Sequence, residues 1–324
     1  MIDHAVIIAV GDPRHESQLT YNRIHAMLPA LGKPLVVRMM DRLYRTGIRR
    51  YTVIVGVNEG PVASYLNNHW LPDVNIDLKY NSGQKTLPNI FREIAQETNA
   101  PFIVCSYNAF VHGRFPESLI NQHEKSKDAL IIGAANSTLS KSQHHYYGVT
   151  NGLTIEQIVT HVPRERPSLT LTNFTVCGRQ MIAYLQQLTP DLIGDMRANF
   201  MHIVKKYIEQ DAKSPCLAAE TAWVLQIEND RDLITLNKHL LEEGQDANIL
   251  SELPYTVRVI PPVRIDPQVS VGQGATIGPY VYLERGSSVG RHVTIRNAII
   301  LQRANVPAEK TVTDTIIGTR GPIQ

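Results

Sequence analysis

Four basic or titratable side chains follow Gly11: Arg14, His15, Arg23 and His25. Arginine offers a fixed fork of donors, whereas imidazole carries only part of a charge at neutral pH. Gly11 ends the apolar run Ala5 to Val10, where a sharp turn can aim backbone N–H groups at a ligand. Pro13 works against a full cradle, because proline has no N–H and a fixed φ. Two other groups read as structural. His144 and His145 are adjacent, so on a strand they point to opposite faces and do not make a metal pair. Cys105, Cys177 and Cys216 are too widely spaced for a zinc site or a disulfide framework and fit a reducing compartment.

The elements that must position these residues follow from apolar patterning. Residues 5–11 read as a buried strand and Leu35 to Tyr44 as an amphipathic helix stopped by Gly47. Strands over 51–57, 74–80, 102–105 and 129–134 alternate with helices over 61–69, 87–98 and 119–126. Residues 199–209 have helical apolar spacing and read as a packing face. This alternation predicts an α/β domain with a doubly wound, Rossmann-like, mostly parallel sheet. Ligands in such sheets bind beyond the carboxyl ends of the strands, which places the 11–32 loop and the residues after Cys105 at any site.

From Ile265 an aliphatic residue recurs at every sixth position: Ile265, Val271, Ile277, Leu283, Val289, Ile295, Leu301. Four positions after each stand mostly small or β-branched residues, Val269 through Val293 to Ile299 and Asn305. This hexad predicts a short left-handed parallel β-helix of two to three coils, with Thr313 to Gly318 as a terminal strand. The expected domains are 1–250, α/β, and 251–324, linker and β-helix. A chain of 324 residues with 43% hydrophobic residues can supply both cores. A net charge of +2 and 6% aromatics give no footing for nucleic acid. The run at 5–10 is too short for a signal h-region or a membrane span, so a cytoplasmic protein without membrane contact is expected.

The segment from Ala5 to Gly56 resembles the N-terminus of the sugar-1-phosphate nucleotidyltransferases, the superfamily of ADP-glucose pyrophosphorylase, glucose-1-phosphate thymidylyltransferase and mannose-1-phosphate guanylyltransferase. Ala9-Val10-Gly11, Leu19-Thr20, Pro29, Gly32-Lys33-Pro34-Leu35 and Gly47-Ile48 fall in its signature spacing without a gap. Tyr147-Gly148-Val149 and Trp223 with Asp232-Leu233 resemble later motifs, and many members carry a C-terminal left-handed β-helix.

The resemblance implies attack of a sugar phosphate on the α-phosphate of a nucleoside triphosphate, with release of pyrophosphate. It also implies which positions should do this work, and these have changed. Pro13 stands for a loop glycine, His15 for the loop arginine and His25 for the lysine; Asn108 and Gln226 stand for the two Mg²⁺ ligands. Arg14, one position early, and Arg23 are substitute donors. Pro163 to Pro167, near the sugar-contacting motif, reads as a turn. The set predicts a catalytically degenerate member. It would bind a nucleotide-sugar or sugar phosphate through Gly11, Arg14, His15, Arg23, His25 and Asn108, or act as a regulatory or assembly subunit. No metal is expected, with Mg²⁺ entering only if catalysis survives. A homo-oligomer or a complex with an active paralogue is the expected assembly. The alternative is an active nucleotidyltransferase with a rearranged loop that uses Arg14, Arg23 and Lys33. An acyltransferase built on His292 and a ligand-free structural protein complete the readings.

Overall fold

The structure, a computed structural model, describes residues 2–11, 17–21, 23–82, 86–139, 145–189, 199–210, 215–244 and 246–323. These form two compact units. One comprises residues 1–12 and 36–226, the other 13–35 and 227–324.

The first unit is built on a nine-stranded sheet. Its strands are β1 (His4–Ala9), β2 (Arg50–Gly56), β3 (Asn75–Asn81), β4 (Phe102–Ser106), β6 (Leu130–Ala135), β7 (Tyr146–Asn151), β8 (Thr154–Val159), β9 (Ser168–Cys177) and β10 (Cys216–Glu220). A separate two-stranded ribbon pairs β5 (Ala109–Val111) with β11 (Val224–Gln226). The sheet order is β3-β2-β1-β4-β9-β6-β10-β8-β7, with β9 and β8 running against the others. β1 and β2 are apolar because both faces of a parallel sheet are covered. Helices α1 (Leu35–Tyr44), α2 (Gly60–His69), α3 (Leu87–Thr98), α4 (Phe115–Lys125), α5 (Arg179–Gln186) and α6 (Phe200–Glu209) connect and cover the strands. α1 and α3 have the bounds the periodicity predicts. α3 stops at Asn99, which takes a left-handed φ of 43° and donates its N–H to the Ala95 carbonyl. One core joins Val6, Ile54, Phe91, Phe102, Val104 and Phe200.

The second unit holds a parallel β-helix. Three sheets stack strands from successive coils, Arg258–Val259 to Thr311–Thr313 in the first, Val263–Ile265 to Ile316–Gly318 in the second and Ser270–Val271 to Asn305–Val306 in the third. The coils therefore begin before Ile265, and the first two sheets reach a fourth coil, beyond the two to three expected. Thr313 to Gly318 spans two strands, not one.

The hexad also slips. Ser270 pairs with Ser288, eighteen residues on, but Ser288 pairs with Asn305, seventeen on. The missing residue lies at the corner after Ile295. There Asn297 adopts φ 41° and, one coil later, Asp314 adopts φ 52°; the Asn297 side-chain amide donates to the Asp314 carboxylate. Short polar side chains tolerate this left-handed turn. Leu283 therefore pairs with Ile300 and Val281 with Ala298. Ile300 and Ala298 fill the core, and Leu301 and Ile299, the residues the strict count selects, do not belong to it.

α7 (Asp230–Glu242) belongs to the same unit and opens with a reciprocal cap between Asn229 and Asp232. So does a two-residue hairpin that pairs Pro29–Ala30 with Lys33–Pro34. Its turn residues Leu31 and Gly32 take φ of 48° and 80°. The positive φ favours glycine at position 32, where the Arg264 guanidinium lies close against the backbone. Among the described residues no helix is long and apolar enough to cross a membrane.

Candidate functional site

In the first unit the carboxyl ends of β1, β2 and β4 converge, since β1 lies between the other two. The chain leaves β1 at Gly11 and β2 at Gly56, and Glu59 at the start of α2 lodges its carboxylate against both. The Gly11 N–H donates to Glu59 Oε1 at 2.9 Å. A Cβ on Gly11 would stand 2.6 Å from that oxygen, and one on Gly56 would also collide with the carboxylate. Glu59 is 9% exposed. A buried carboxylate needs donors, and here the strand-end amide is one. The N–H that the resemblance implies for phosphate is therefore held by a carboxylate of the chain itself.

Beyond β4, Tyr107 donates its N–H to the Ile8 carbonyl, and Asn108 follows, 3% exposed. β5 then pairs with β11, so that Gln226 stands opposite Ala109. Asn108 and Gln226 are thus brought to adjacent positions from distant parts of the sequence. Their chemistry is two carboxamides. Mg²⁺ prefers carboxylate oxygen and water, so this pair does not fit the metal that the resemblance implies. Among the described residues no group of three or more His, Cys, Asp or Glu side chains could hold an ion.

The ribbon that carries these amides is pinned by a residue the sequence reading missed. Arg42 of α1 is 4% exposed, donates to the Val111 carbonyl, and lies 5.4 Å from the Phe110 ring centroid and 6.0 Å from that of Trp223. An arginine in an amphipathic helix gives no local sign of such a role. Trp223 also meets the His112 ring edge-on.

Residues 17–35 of the signature segment lie in the second unit. Ser17 donates its hydroxyl to Asp230 Oδ1 at 2.5 Å, and the Gln18 N–H donates to Asp230 Oδ2 at 2.8 Å. Burial raises the Asp230 carboxyl above its ordinary value, and these hydrogen bonds oppose the rise. Arg23 pairs with Glu284 of the coil at 2.9 Å. His25 is buried in a short 3-10 turn, His25–Met27, and Lys33 is half-buried in the hairpin. Pro13, Arg14 and His15 lie outside the described residues, as does His144.

Other candidates are placed as follows. His145 is buried beside Tyr147. Residues 160–167 form the connection between β8 and β9, with Val162 exposed and Arg166 paired to Glu156. His292 occupies a coil corner with φ 52°, its ring over Gly274. The three cysteines are buried, and burial pushes each thiol well above its ordinary value, so none is a nucleophile at neutral pH.

The chain resembles known proteins in both of its units. A protein called bifunctional protein GlmU, from an Exiguobacterium strain, is 22% identical over 97% of this chain and 70% of its own length. The structure of the inositol-1-phosphate CTP transferase from T. maritima superposes with a TM-score of 0.57 at 13% identity, over 75% of this chain and 98% of that one. A sucrose-bound Bacillus anthracis protein assigned as a glucose-1-phosphate thymidylyltransferase superposes at 0.59 and 15% identity, over 76% and 96%. The fold is that of the nucleotidyltransferases. Residues 259–324 match the family described as the GMPPB C-terminal domain, which is the coil. The resemblance to the sugar-1-phosphate nucleotidyltransferase superfamily therefore extends from the sheet to the β-helix.

Proposed function

We propose that this protein is a catalytically silent relative of the sugar-1-phosphate nucleotidyltransferases. It would recognise a nucleotide-sugar or sugar phosphate without metal and serve as a regulatory or assembly subunit. The observation that carries this reading is the fate of the donors in the signature segment. Gly11 donates to Glu59, Ser17 and Gln18 donate to Asp230, and Arg23 pairs with Glu284. Each is engaged by a carboxylate of the chain itself, in a segment whose family role is to engage phosphate. Phosphoryl transfer depends on neutralising charge on phosphate oxygens, and internal carboxylates oppose that. The amides of Asn108 and Gln226 are suited instead to neutral sugar hydroxyls or base edges, which need both donors and acceptors.

The test is a pyrophosphate-release assay with a panel of nucleoside triphosphates and sugar 1-phosphates in Mg²⁺, beside melting-temperature measurements with nucleotide-sugars and no metal. No release above the blank and a ligand-specific rise in Tm are expected. Turnover with any common pair sinks the silent reading and restores the alternative of an active enzyme with a rearranged loop. No Tm response to any ligand removes the binding part and leaves assembly.

A further inference from the structure

Among the described residues of segment 17–35, Arg23 is the one arginine, and the way it is held is incomplete. Its Nη1 donates to both Glu284 oxygens, at 2.9 and 3.3 Å, while Nη2 donates to the neutral Gln302 Oε1 at 3.1 Å. A saturated guanidinium–carboxylate pair uses two nitrogens on two oxygens. Here one nitrogen serves the anion and the other a neutral amide, and the Arg23 side chain keeps 23% of its exposure.

Glu284 is held independently of Arg23. Its Oε2 accepts the Gln302 N–H at 2.7 Å. It stands one coil on from Asp266, whose carboxylate accepts from Arg264 Nε at 2.6 Å and from the Tyr282 hydroxyl at 2.8 Å. Two successive coils thus present carboxylates on a rigid scaffold. The segment that carries Arg23 is anchored on both sides, at Ser17 and Gln18 by Asp230 and at Gly32 against Arg264. Between these anchors lie two short 3-10 turns, Gln18–Tyr21 and His25–Met27, and the first strand of the hairpin, Pro29–Ala30.

We propose that Arg23 and Glu284 form an ion-pair latch that a polyphosphate opens. Its oxygens take both guanidinium nitrogens, Glu284 is left with the Gln302 N–H, and the stretch around 23–28 leaves the coil corner. The β-helix thereby responds to ligand on the signature segment. The choice of ligand class rests on the function proposed above; the latch itself rests on the Arg23 geometry.

The experiment is calorimetric titration of the full chain with inorganic pyrophosphate, without metal, for wild type, E284Q, R23M, the double variant and E309Q, which removes an exposed charge at another coil corner. E284Q is expected to bind about tenfold more tightly than wild type, because the competing charge is gone. R23M and the double variant are expected to lose the affinity, and E309Q to match wild type. Hydrogen exchange over 23–28 should rise with pyrophosphate in wild type and be raised already in ligand-free E284Q, with α3 unchanged. Equal affinity in wild type and E284Q overturns the latch, as does a gain that survives R23M or appears in E309Q. If E284Q does not fold, E284D, which keeps the charge but shortens the reach to Arg23, should show the same exchange signature. A nucleotide-sugar that binds where pyrophosphate does not also overturns it. Turnover by the wild type would sink the silent reading and leave these equilibrium results standing.

Discussion

The coil and the ends of the sheet strands use glycine and carboxylate in opposite ways. In the coil the constraint is repeated: at one corner Gly274, His292 and Glu309 take a left-handed φ in turn, one coil after another. At the sheet ends the constraint is singular: one carboxylate, Glu59, lies against both Gly11 and Gly56. Repetition spreads the consequence of a change over a stack of equivalent contacts. A singular contact concentrates it.

The comparison can be broken most forcefully inside the coil. Ile295 is fully buried in the narrow core, and Ile295→Ala should cost about 2–5 kcal/mol, measured by urea unfolding. A loss under 1 kcal/mol would mean that the stack relaxes around the gap.

The sheet has a comparable sensitivity, to pH. His4 on β1 shares a hydrogen bond with Thr52 at 2.9 Å, and burial, with Arg50 adding to it against Asp3 and Asp77, lowers its pKa to about 4. A depressed histidine disfavours the protonated folded state. Stability is therefore full above the unfolded value near 6.5 and falls as pH drops from there towards 4. The loss approaches about 3 kcal/mol at pH 4. Comparing the unfolding midpoint of wild type and His4→Gln at pH 7 and pH 4 isolates it; equal pH dependence in both removes the role of His4.

Smaller effects separate the two kinds of glycine site. Glu59→Ala leaves the Gly11 N–H without its acceptor and should cost about 1–3 kcal/mol, whereas Glu59→Gln retains an acceptor and should cost less. Smallest is Asn297→Ala at the exposed coil corner, about 1–2 kcal/mol from the left-handed φ, read as a shift in Tm.

Legibility follows the same division. α1 and α3 were readable because ten to twelve residues of apolar periodicity fix a helix locally. The hexad was readable as far as Ile295, and then misled by one residue, because a shortened corner is set by the φ of Asn297 and leaves no break in the aliphatic count. Asn108 and Gln226 were singled out by the resemblance, and their adjacency comes from the pairing of β5 with β11. Glu59, Asp230 and Glu284 were not readable as partners. They lie 48, 213 and 261 residues from the groups they hold, and nothing local distinguishes them from solvated carboxylates.

Those separations also bear on how the chain is made. A ribosome releases residues 17–35 early, yet Asp230 follows Ser17 by 213 residues and Glu284 follows Arg23 by 261. At roughly 5–20 residues per second, the segment waits from about ten seconds to nearly a minute for its partners, while the sheet can already form. During synthesis the nascent chain thus passes through a stage with a finished sheet and undocked residues 17–35, and only the emergence of Asp230 and then Glu284 ends it.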